Sequence, residues 1–164
     1  MALLVRMINR NKWPQNGDDE VFEIPSDAIT NCLKSTRNTL SVWKIEMEDD
    51  LDEAVLALVA NFQHLESIDV IVLDGEDLVK ANVKCEKTKG ITPVKDLEDT
   101  HFDLCDLNYF SVGLVAEHIA KRIKCDKIKR YNQGALKRIL KAAIAANRLK
   151  LEDLTESVAK KIGV

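Results

Sequence analysis

The densest gathering of reactive side chains lies in THFDLCDLNY, where His101, Asp103, Cys105 and Asp106 fall within one short segment. On a helix, His101 and Cys105 share a face and would begin a metal site or pair as base and nucleophile. A structural zinc centre needs two more nitrogen or sulfur ligands, and only His64, His118 and distant cysteines remain to supply them. The carboxylates flanking Cys105 also disfavour its thiolate. A quieter reading has Asp106 capping the following helix and Cys105 packing inward. A second cluster, VLDGEDL, sets Asp74, Glu76 and Asp77 after an apolar run, where α/β enzymes often hold catalytic or metal-binding carboxylates. With His101, these residues define a hydrolase or metal-dependent enzyme as an alternative function. An acidic turn in which Gly75 supplies an unusual backbone angle explains the same residues. The acids of EMEDDLDEA suit the positive end of a helix dipole without any cation. No phosphate-cradling glycine loop or nucleophile elbow occurs, so no catalytic residue, metal or cofactor is assigned.

Charge is distributed more tellingly. The stretch AKRIKCDKIKRYNQGALKRILK, Ala120 to Lys141, sets lysines and arginines against the single Asp126. Residues 1–120 carry 11 basic and 23 acidic side chains, net −12, whereas residues 121–164 carry 13 and 4, net +9. On a helix starting near Gln133, Lys137, Lys141 and Arg148 fall within about 40° of one another, with Arg138 to one side. Such a basic stripe has three candidate counterparts: solvent, an acidic protein surface (the chain's own, a second copy's or another protein's), and nucleic acid. Nucleic acid is disfavoured by the scarcity of aromatics, Tyr131 being the only one after Phe110. Trp13, beside Pro14 in the polar run RNKWPQNGDDE, either anchors a partner or buries its ring against a sheet.

The elements that must position these groups follow from periodicity. LLVRMI and TLSVWKIE read as strands. SIDVIVLD is so continuously apolar that it reads as a strand buried on both faces, and ANVKCEKT alternates as a half-exposed edge strand would. PSDAITNCLKS reads as a helix with Ser26 as N-cap, and EDDLDEAVLALVANFQHL as an amphipathic helix. This order predicts an α+β or small α/β unit, a mixed sheet of about four strands with packed helices, and a helical C-terminal third. The acidic sheet-containing unit spans residues 1–100. The basic helical segment spans 101–164 and packs on the first as one domain.

At 164 residues, 46% hydrophobic and 31% charged, the chain can bury a sizeable core. Cys32, Cys85, Cys105 and Cys125 form no C-x-x-C pair and read as free thiols. No apolar run approaches membrane-spanning length and no secretion signal is evident, so the cytoplasm is the expected compartment. LTESVAKKIGV resembles the first helix and turn of a helix-turn-helix motif, with Ala159 four residues before Gly163. The recognition helix does not follow, and a glycine-capped helix explains the same residues. The favoured expectation is a non-enzymatic protein-interaction module: an adaptor, a regulator or an immunity-type partner that neutralises a toxin. Lys137, Arg138, Lys141, Arg148 and Trp13 are its contact residues. The partner is another protein or a second copy, with a nucleic-acid-associated regulator as the other alternative.

Overall fold

The computed structural model describes residues 2–14 and 23–163, so the part of the polar run that follows Pro14 lies outside the described residues. Six strands form one sheet: β1 (Leu3–Ile8), β2 (Leu40–Ile45), β3 (Ile68–Asp74), β4 (Lys84–Lys87), β5 (His101–Cys105) and β6 (Ile128–Tyr131). Their order is β4-β5-β2-β1-β3-β6, and every pairing is antiparallel. The α+β class is as expected, but among the described residues the sheet has six strands where about four were expected, and its pairings are antiparallel where a mixed sheet was expected. Both additional strands, β5 and β6, come from the part of the chain expected to be helical. The β5 segment alternates as a strand does. Phe102 and Leu104 alternate with His101, Asp103 and Cys105, a period that the reactive side chains obscured. The four residues of β6 sit inside a run of lysines, with only Tyr131 fully buried. Such a short, charged edge strand has no apolar period to detect.

Helices cover both faces. α2 (Leu51–Val59), α5 (Gln133–Ala145) and α6 (Glu156–Ile162) pack on one face, where Val5, Trp43, Ile45, Val70 and Val72 meet Val55, Val59, Leu136, Leu140 and Val158. α1 (Ser26–Cys32), α3 (Gly75–Lys80) and α4 (Tyr109–Lys124) pack on the other, over Leu4, Val42, Ile71, Leu73 and Leu104. The continuous apolar run of β3 thereby finds its cause: Val70 and Val72 serve one core while Ile71 and Leu73 serve the other. Val55 is fully buried there, with Leu58 and Phe62 at the margin of the same core.

Several local details differ from expectation. The cap of α1 is Pro25, and Ser26 is the first helical residue. Asn108, not Asp106, caps α4, accepting from the Phe110 and Ser111 amides. Asp106 turns the chain at φ 53°. Gly75 has no unusual angle. It is glycine because a Cβ there would lie 2.8 Å from the Ala2 carbonyl oxygen. Gly163 does cap α6 in the left-handed region, φ 65°, its amide reaching Ala159 O.

Side chains of α4 complete the unfinished edge of β3. Gly75 N–H donates to Ala2 O, beside β1, and Val72 N–H donates to Lys127 O, beside β6. Odd residues of β3 thus face β1 and even residues face β6. β6 ends before Asp74, whose amide donates instead to His118 Nε2 at 3.1 Å, while Arg122 Nε donates to Val72 O at 2.8 Å. Two residues one helical turn apart stand in for the missing strand.

Candidate functional site

The sequence-predicted residues separate into three groups. Trp13, expected to anchor a partner, is only 2% exposed. It packs in the core with Leu33 and Ala28, and its indole N–H donates to Cys32 Sγ at 3.3 Å. The large apolar ring stays with the sheet because the adjoining turn folds it over β1 and α1. It presents no surface to a partner.

The acidic cluster is local machinery. Asp74 Oδ1 accepts from the Glu76 and Asp77 amides and so caps α3. His101 lies on β5, three strand spacings from β3, roughly 14 Å away across the sheet. Asp74, Glu76 and Asp77 therefore do not converge with His101. Instead His101 is buried edge-on against Trp43, ring centroids 5.0 Å apart, and burial pushes its pKa below the usual imidazole value. Thr88 Oγ1 lies 2.8 Å from His101 Nδ1 and donates to Asp103 Oδ2 at 2.9 Å. With its one proton given to the carboxylate, the hydroxyl must accept from Nδ1–H. A nucleophile activated by histidine needs the opposite direction of donation. The trio instead ties β5 to the segment following β4. Among the described residues no three His, Cys, Asp or Glu side chains group as a metal site.

The basic residues divide by whether a carboxylate lies within reach. Lys127 meets Glu48 at 2.7 Å, Arg130 meets Asp69 at 3.5 Å, and Arg148 forks onto Glu53 (3.0 and 2.5 Å) while also reaching Asp96 (2.9 and 2.6 Å). These carboxylates, Glu53 foremost, hold the Arg148 pKa above its ordinary value. Arg148 is thus drawn off the expected stripe. α5 ends at Ala145, Asn147 turns at φ 56°, and the chain folds back toward α2. The remaining cations, Lys137, Arg138 and Lys141, meet no carboxylate among the described residues, and Arg138 and Lys141 are exposed.

Beside them runs a groove of about 740 Å³ between α2, β6 and α5. Ala135, Ile139 and Ala142 give it apolar walls over the buried Leu56, and Lys129, Arg138 and Arg148 line it with cations. Its carboxylates are already engaged: Glu53 by Arg148, and Asp52 by the Tyr131 hydroxyl, which donates at 2.7 Å. Burial first, and then that hydrogen bond, raise the Tyr131 pKa. Lys129 Nζ stands 4.9 Å over the centroid of the same ring. Arg138 and Arg148 come together here, whereas Lys137 and Lys141 project from other sides of α5 and do not line the groove. Lys129 and Tyr131 were missed, and their only signal was a basic residue two positions from an aromatic, the spacing that places both on one strand face.

The chain is 29% identical over 132 residues to the Protein Cep78 homolog of Drosophila melanogaster, an alignment covering 79% of this chain and 15% of that protein. It spans only about 15% of the length of that curated relative. No protein-family model matches the chain, and no solved structure matches it. No helix among the described residues is long and apolar enough to cross a membrane.

Proposed function

We propose that the chain is a non-enzymatic protein-interaction module of the cytoplasm, an adaptor or regulator that receives an acidic partner on the basic face of α5 and in the adjoining groove. The observation that carries this reading is the charge left after internal pairing. Acids of the N-terminal part engage Lys127, Arg130 and Arg148, while Lys137, Arg138 and Lys141 keep their charge for another surface. Unsatisfied charge of one sign beside an apolar wall favours a partner of opposite sign and sets its register more than it adds affinity. A toxin-neutralising role is less well supported, because Glu48, Glu53, Asp69 and Asp96 already face the chain's own cations. Against an enzymatic role stand the dispersed Asp74 and His101. Free Cys32, Cys85, Cys105 and Cys125 suit a reducing compartment.

The test replaces Lys137, Arg138 and Lys141 together by glutamate, which keeps similar helix propensity. Proteins retained from a lysate by the immobilised native chain should be lost from the variant, while circular dichroism and the urea midpoint stay near native. Retention of the same proteins by both chains would refute the reading. So would retention of nucleic acid alone, with affinity falling steeply with salt.

A further inference from the structure

We infer that the groove takes an extended acidic segment of a partner protein, added as a seventh strand to the free edge of β6. This rests on the protein-interaction reading above and names its chemistry. β6 is a terminal strand of the sheet. Because Val72 bonds Lys127, the register makes Lys129 and Tyr131 the strand's further hydrogen-bonding partners of β3. Ile128 and Arg130 then direct their backbone N–H and C=O groups away from the sheet, and no backbone partner among the described residues takes them. The groove lies beside this strand, and Lys129, Arg130, Tyr131 and Asn132 form one of its sides.

Charge selects the occupant. Lys129 on the strand and Arg138 across the groove meet no carboxylate among the described residues, and the half-buried Ala135 and Ile139 with the exposed Ala142 provide apolar contact for alternate side chains. A strand alternating acidic and apolar residues matches both, its backbone bonding Ile128 and Arg130. A second copy joined through β6 would set Lys127, Lys129 and Arg130 against their own equivalents, a repulsive arrangement. For nucleic acid, Tyr131, only 3% exposed, offers no stacking face. Lysines on an edge also serve simply to prevent aggregation, which predicts that no strand adds at all.

Three labelled peptides of about ten residues distinguish these outcomes. One alternates Glu and Val, one Lys and Val, one Glu and Pro. Binding is followed by fluorescence anisotropy, and amide exchange at Ile128 and Arg130 by NMR. The Glu–Val peptide is expected to bind, to slow exchange at both amides, and to weaken at least about tenfold in Lys129→Glu/Arg138→Glu. Equal binding of the Glu–Pro peptide without slowed exchange overturns strand addition, yet leaves the protein-interaction reading standing. Tighter binding of the Lys–Val peptide, or no binding of the Glu–Val one, also overturns it. Exchange that slows with rising protein concentration alone assigns the edge to a second copy. Binding of an oligo-dT probe in place of every peptide overturns both proposals.

Discussion

Gly90 shows how much a single residue carries here. A Cβ at this position would lie 2.5 Å from a Trp43 ring carbon and 2.8 Å from the His101 Cβ, neither at the free end of a flexible chain. Gly90→Ala should therefore cost about 1–3 kcal/mol by overpacking, read as a lower urea midpoint with unchanged m-value. His118 carries a different kind of constraint. Its Nε2 accepts the Asp74 amide, and burial first, then the Arg122 charge, hold its pKa below the imidazole value of 6.5. The unfolded chain takes up this proton before the folded one. The associated stability is complete above about pH 6.5 and is lost as pH falls through the lower folded value. His101, depressed by burial, adds to the same slope. Urea midpoints should fall between pH 7 and pH 5. His118→Gln should flatten part of that fall, and His118→Ala should cost about 1–3 kcal/mol at pH 7 by orphaning the amide.

At the scale of elements, Arg148 joins three of them. It follows α5 and forks onto Glu53 of α2 while holding Asp96 in the turn before β5. The fork is partly exposed, so its removal should cost only about 1 kcal/mol. Arg148→Lys keeps the charge but not the two-point geometry, and should recover less than half of the loss in a thermal melt. The same ion pairs show why the basic stretch divides into structural and available residues. Lys127, Arg130 and Arg148 find acids within reach, whereas Lys129 and Arg138 in the groove, and Lys137 and Lys141 on other sides of α5, meet none among the described residues.

For the whole molecule, the sheet decides where the chain can be cut. β5 lies between β4 and β2, and β6 closes the other end. Strands from both sides of residue 100 thus share one hydrogen-bonded sheet and two common cores. A chain ending at Thr100 would leave β2 as an open edge, sever β4, and expose Val70 and Val72 where α5 and α6 had covered them. It should show no cooperative urea transition by circular dichroism and no dispersed amide spectrum. The intact chain should unfold in a single step by both probes.

Whatever depends on local pattern could be read from the residues alone. The two-sided burial of β3 was visible in IDVIVLD, the amphipathic α2 and α5 in their apolar spacing, the cap of α6 in Gly163, and the charge division by counting. Such signals survive in a single chain because each concerns neighbours one turn or one pleat apart. What the tertiary structure alone decided concerns residues brought together from afar. Trp13 lost its place on the surface because α1 and β1 close over it. Arg148 left the stripe because Glu53 and Asp96, distant in sequence, lie where the chain turns back. β5 and β6 became strands although their own residues carry weak or hidden periodicity. β5 acquires its pairing from β2 and β4, and β6 from β3, and cross-strand hydrogen bonds with distant segments outweigh local preference.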